Sequence, residues 1–116
     1  MKKIIILIIV LMPLQLFAQF GKNKVQYEEF HWKFIQSTHF DIYYNEGSKY
    51  LAEYAAVTAE RALVDVQKLL NYSLEVRTTL IVYNSHNEFQ QTNVVGSYLS
   101  EGIGGATELM QNRIIL

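Results

Sequence analysis

The chain has 116 residues, half of them hydrophobic, with no cysteine and a formal net charge of −1 from 10 Lys/Arg against 11 Asp/Glu. Lacking thiols, it has no disulfide and no cysteine for metal binding or lipid attachment, so its fold must be held by burial of apolar surface. No cluster of Lys and Arg follows Lys33, which argues against nucleic acid as a partner, because phosphate neutralisation needs clustered cations.

Met1-Lys2-Lys3, the apolar run Ile4 to Leu16 and Phe17-Ala18-Gln19 follow the order of a secretory signal peptide, residues 1–18, with cleavage after Ala18. Pro13, Gln15 and Gln19 interrupt the run, which falls short of the roughly 20 apolar residues of a spanning helix. No stable membrane span is therefore expected after cleavage. The mature chain then has 116 − 18 = 98 residues, and losing Lys2 and Lys3 leaves 8 basic against 11 acidic residues, a net charge of −3. Export places it in the periplasm, at the outer membrane or outside the cell. Residues 19–29 are mostly polar and read as a linker, with the domain occupying 30–116.

Trp32 to Gln36 and His39 to Tyr44 carry the aromatic and β-branched residues of strands, joined tightly at Ser37-Thr38. The period of two puts Phe40, Ile42 and Tyr44 on a core face and His39, Asp41 and Tyr43 on a wet one. Asn45 to Ser48 is a turn that can cap a helix, and Lys49 to Leu70 contains neither Gly nor Pro. Leu51, Tyr54, Ala55, Ala59, Ala62, Val66, Leu69 and Leu70 form an apolar stripe down that helix, with alanines at its middle that allow close approach to a sheet. Val76 to Tyr83 reads as an interior strand covered on both faces. Ser85 with Glu88 matches the capping box, predicting a short helix to about Gln91. Thr92 to Gly105 reads as loop, in which Gly96, Gly102, Gly104 and Gly105 allow positive φ or close backbone approach. Arg113 to Leu116 starts another strand, and a chain that stops inside such a run leaves an unfinished edge, so a fragment is expected. The fold class is α+β, a mixed β-sheet backed by one long α-helix at about 48–70.

No catalytic, cofactor-binding or metal-binding residue can be assigned. Gly102 and Gly104 match two positions of G-x-G-x-x-G, but the third falls on Thr107, and no P-loop lysine follows Lys68. His31, His39 and His86 lack the i, i+4 spacing that puts two imidazoles on one helix face. Ser85 and His86 are adjacent and without a nucleophile elbow. Glu60, Arg61 and Asp65 read as a solvated helix face, the last two at i, i+4. The sequon Asn71-Tyr72-Ser73 reads as chance.

HFDIYY at 39–44, YAAVTAERAL at 54–63, LIVYNSHNEFQQTNV at 80–94 and EGIGGATELMQNRIIL at 101–116 together resemble the beginning of the peptidase-MA-like domain, a gluzincin-type zinc metallopeptidase fold. In bacterial envelope proteins this domain is often followed by TolB-like propeller repeats. The resemblance covers essentially all of the mature chain, through fold-bearing segments rather than the catalytic signature. It implies a partial N-terminal gluzincin-like subdomain whose edge strand, at about Asn112 to Leu116, lies over the active-site cleft and aligns a peptide substrate. It also implies that zinc is held by an H-E-x-x-H helix this sequence does not contain, so zinc is expected only in a full-length parent. The leading expectation is thus an N-terminal portion of an exported metallopeptidase without its catalytic motif. The alternative is a non-catalytic envelope domain that binds protein or glycan as part of a propeller-bearing scaffold. A complete small secreted protein with a genuine terminal strand is a third reading.

Overall fold

The computed structural model describes residues 24–96 and 98–116; the signal-peptide assignment lies outside them. Strands β1 (Trp32–Gln36) and β2 (Phe40–Asn45) lead into helix α1 (Lys49–Leu70), followed by β3 (Thr78–Val82), the short helix α2 (His86–Gln90), β4 (Ala106–Glu108) and β5 (Arg113–Ile115). The five strands form one sheet in the order β1-β2-β3-β5-β4. The β1–β2 and β4–β5 pairs are antiparallel, whereas β2–β3 and β3–β5 are parallel. The expected mixed sheet with one long helix is what forms.

Sequence chemistry explains the boundaries. Gly47 takes a φ of +95° in the turn between β2 and α1, a conformation that costs residues with a Cβ. Ser48 stands at the α1 N-cap but its side chain makes no capping hydrogen bond, so the turn caps through its backbone alone. At the other end Asn71, left-handed at φ 48°, closes α1, as Asn tolerates that region better than most residues. Ser85 caps α2 as the sequence predicts, its Oγ accepting from Glu88 N–H at 3.3 Å while Glu88 Oε2 accepts from Asn84 N–H at 2.9 Å.

Two rows of side chains cross the sheet. Ile35, Ile42, Leu80, Ile114 and Thr107 are mutually in register, as are Phe34, Tyr43, Ile81, Ile115 and Ala106. The first row faces α1, which lies chiefly over β2. Its core comprises Phe40, Ile42, Tyr44, Ala52, Leu80 and Val82, with Ala55, Ala56, Ala59 and Leu63 packed against it. Ala52 is wholly buried, and the small side chain is what permits the helix to sit this near the strands. On the other face Phe89, Leu99 and Ile115 form a second core with Ile81, Tyr83, Val94, Val95 and Ala106. Burying each such large apolar side chain is worth about 1.5–3 kcal/mol.

Among the described residues, each face is covered over only part of its width, and the two covers are offset. α1 shields β1 to β3 on one side, and α2 with the following loop shields β3 to β4 on the other. The predicted stripe on α1 therefore continues beyond its cover: Tyr54, Val66, Leu69 and Leu70 are exposed. Periodicity identified the helix and its apolar side, but periodicity carries no information about how much of that side finds a partner.

Candidate functional site

A concavity lies where α1 leaves the sheet. A groove of about 600 Å³ runs between α1 and the β3–β5 side of the same sheet face, walled by Tyr54, Ala59, Ala62 and Val66 from the helix and by Leu80, Ile114 and Leu116 from the strands. Its far rim carries Thr107 of β4 and Asn112 of the β4–β5 turn. Asn112 adopts φ 50°, and its side-chain amide donates to Thr78 Oγ1 at 3.0 Å and to the Arg77 carbonyl at 3.3 Å. These bonds fix the turn against the start of β3. Arg113, paired with Glu108 at 2.6 Å, ties β5 to β4 next to it.

The strand order corrects one expectation. The segment about Asn112 to Leu116 was expected to be the edge, but β5 lies between β3 and β4. The edge is Ala106–Glu108, a strand too short and too poor in β-branched residues for its sequence to announce it. Leu116 extends the β5 ladder, its N–H donating to the Ile81 carbonyl and its carbonyl accepting from Tyr83 N–H, both at 2.9 Å. The apolar run Ile114–Leu116 is thus accounted for as an inner strand.

The glycines do not make a cradle. Of the two roles the sequence allows them, positive φ or close backbone approach, Gly96, Gly102, Gly104 and Gly105 do not take the first, and Gly96, Gly102 and Gly104 have open space where a Cβ would project. Gly105 alone is constrained, since a Cβ there would lie 2.9 Å from Leu116 Cδ2 and 3.1 Å from the Ile115 carbonyl oxygen. Its role is close packing of the approach to β4 against β5.

The histidines are dispersed. His31 precedes β1, His86 opens α2, and His39 is engaged with Glu60, its Nδ1 lying 2.8 Å from Glu60 Oε2. Among the described residues no three His, Cys, Asp or Glu side chains converge on a position that could hold a metal ion.

Glu60 is a second correction. Instead of belonging to a solvated helix face, it accepts from Ser37 Oγ at 2.6 Å and from His39 N–H at 2.7 Å. Burial by itself would raise its carboxyl, but the hydrogen bonds from Ser37 and His39 outweigh that and bring it from the ordinary 4.5 down to about 2. Arg61 and Asp65, both exposed, form no ion pair among the described residues. Beside this cluster Arg77 donates to the Thr38 and Phe40 carbonyls at 2.8 and 2.7 Å and to Asp41 Oδ1 at 2.7 Å. Hydrogen bonding to Arg77, and then to Gln36, holds the Asp41 carboxyl below its usual range. Together Glu60 and Arg77 clamp the β1–β2 turn to α1 and β3. The partners are 21 and 36 residues apart, too far for local spacing to reveal them.

This arrangement defines an α+β domain with a mixed sheet, one covering helix and a short antiparallel edge strand beside an open apolar groove. No protein-family model, no curated protein and no solved structure matches the chain. Among the described residues no helix is long and apolar enough to cross a membrane.

Proposed function

We propose that this chain is the N-terminal part of an exported gluzincin-like zinc metallopeptidase domain. In this reading it supplies the sheet, the backing helix and the strand along which a peptide substrate aligns, while the catalytic motif lies in sequence outside it. The supporting observation is the juxtaposition of β4, antiparallel at the sheet edge, with the apolar groove between α1 and the same sheet. A short edge strand offers backbone donors and acceptors to an extended peptide, and a groove of that kind suits the apolar side of a further helix. The substrate strand is accordingly β4 rather than β5.

The described residues form no zinc site. His39 is committed to Glu60, and no further donor joins it or the other two histidines among the described residues. No hydrolytic step is therefore assigned to any numbered residue. The test is the coding sequence together with activity. An H-E-x-x-H motif within about 20 codons after codon 116, a loop and a turn or two of helix, and zinc-dependent peptide hydrolysis by the longer product are expected, with none from residues 1–116. A stop codon at that point, or peptidase activity from the 116-residue chain, would sink the proposal.

A second reading, a non-catalytic envelope binding or scaffold domain associated with TolB-like propellers, is favoured by a different surface. On the face opposite α1, Trp32, Phe34 and Tyr43 are exposed, with Phe34 and Tyr43 stacked at 5.6 Å. Exposed clustered aromatics mark recognition surfaces more often than single ones do. Binding of an envelope protein or glycan by the longer product without hydrolysis, lost on Phe34→Ala, would establish this reading over the first.

A further inference from the structure

β1 stands at one edge of the sheet, and the direction of its main-chain groups follows from its pairing. In an antiparallel pair, residues that exchange hydrogen bonds with the partner strand alternate with residues whose N–H and C=O point away from it. The β1–β2 register runs from Trp32↔Asn45 to Gln36↔Asp41, and two bonds set its phase. Glu46 N–H donates to the His31 carbonyl at 3.0 Å, and Ser37 N–H donates to the Phe40 carbonyl at 2.9 Å. His31 and Ser37 fall on the same alternation as Lys33 and Ile35, which therefore bond to Tyr44 and Ile42. Trp32, Phe34 and Gln36 accordingly turn their N–H and C=O groups outward. Among the described residues no strand pairs with that side, because the order is β1-β2-β3-β5-β4.

Folded chains usually blunt such an edge with a free lysine, a proline, a bulge or a very short strand. β1 has five residues and no proline, and its register with β2 is unbroken. Lys33, its one charged residue, is paired with Glu46 of the same chain. Two of the three outward-facing residues carry large rings, Trp32 at 41% and Phe34 at 57% exposure. The opposite edge differs, since β4 has only three residues and its Glu108 is tied to Arg113. The unpaired groups of β1 are also symmetric about its middle residue: Phe34 stands at the centre, with Trp32 and Gln36 two positions to either side.

We propose that β1 is the pairing edge for a second copy of this chain, the two strands running antiparallel about a two-fold axis at Phe34. Trp32 then meets the partner's Gln36, Phe34 meets the partner's Phe34, and Gln36 meets the partner's Trp32, each pair exchanging both of its hydrogen bonds. Lys33 lies opposite the partner's Ile35, so no like charges face each other. A two-fold contact needs a surface that complements itself, and a strand whose outward groups are centred on one residue meets that requirement. On the face opposite α1, the stacked Phe34 and Tyr43 of one copy continue into the same two rings of the other, taking exposed aromatic surface out of water. β4 and the apolar groove stay open, so the pairing does not rest on the peptidase reading.

The chain contains no cysteine, so a single introduced thiol reports the register. Phe34→Cys in the full chain is expected to give a disulfide-linked dimer under mild oxidation, because a hydrogen-bonded antiparallel pair holds its Cα atoms about 5.5 Å apart, within disulfide reach. Gln36→Cys alone should cross-link at least tenfold more slowly, whereas Gln36→Cys mixed with Trp32→Cys should give the mixed dimer. Phe34→Pro deletes an N–H that β2 does not use and should weaken dimerisation at least tenfold in sedimentation equilibrium, with an unchanged circular dichroism spectrum. The cross-linking comparison decides by itself if the proline is not accommodated in β1. Val66→Asp, which alters the groove, should leave the cross-links in place. A chain that sediments as a monomer at every concentration, equal cross-linking rates for Phe34→Cys and Gln36→Cys, or dimerisation unaffected by a folded Phe34→Pro would overturn the pairing. So would loss of the cross-links on Val66→Asp, which would move the contact to the groove.

Discussion

Glu60 carries a testable consequence at the scale of the single residue. Its carboxyl titrates near 4.5 when unfolded and near 2 when folded, so it binds fewer protons in the native state. The stability it contributes is fully present above about pH 4.5 and is lost as pH falls toward 2. Because its side chain remains 26% exposed, solvent screening trims the contribution to on the order of 1–2 kcal/mol. Glu60→Gln should lower stability at pH 7 by about that amount and flatten its pH dependence between 4.5 and 2, measured by urea unfolding across the range. An unchanged acid limb would rule out the clamp as a stabilising feature. Residue types alone could not place Glu60 in this cluster, because its partners come from the β1–β2 turn and meet it only when α1 folds back over β2.

At the scale of the element, the two helix starts differ in a way that substitution separates. Ser85→Ala removes a made capping bond and should cost about 1 kcal/mol. Ser48→Ala removes a buried hydroxyl that has no partner and should be neutral or slightly stabilising; thermal unfolding of the pair checks the contrast. The elements legible in the sequence were those with a physical signature spread over several residues. The span of α1, Lys49–Leu70, follows from the absence of Gly and Pro, and Leu80-Ile81-Val82 fits a central strand because a strand paired on both sides is apolar on both faces. β4 escaped detection because three residues, Ala106-Thr107-Glu108, are too few to alternate, and the order β3-β5-β4 depends on a pairing that no local pattern encodes. The offset covers of the two sheet faces escaped for the same reason.

For the whole molecule, the uncovered half of the α1 face sets solution behaviour. Exposed Val66 and Tyr54 line the groove, and contiguous apolar surface of this kind promotes association. A chain lacking residues 1–18 should therefore self-associate with rising concentration, and Val66→Asp should shift it toward monomer without lowering its thermal midpoint, because Val66 is already 47% exposed. Light scattering coupled to size exclusion reads the first effect and calorimetry the second. A monodisperse monomer at all concentrations would show that the groove is tolerated as it stands.

Trp32, the single tryptophan, stands on the edge strand β1 with its ring 5.4 Å from that of Tyr83 and 5.3 Å from that of Phe30. Tyr83 follows β3, whose parallel pairing with β2 can form only after the 22 residues of α1 have been traversed, whereas the β1–β2 hairpin closes locally. Loop closure makes the distant pairing the slower event. The indole therefore acts as a clock within the chain: its fluorescence should change first when the hairpin closes and again when Tyr83 arrives, separating early from late steps of folding without an added label.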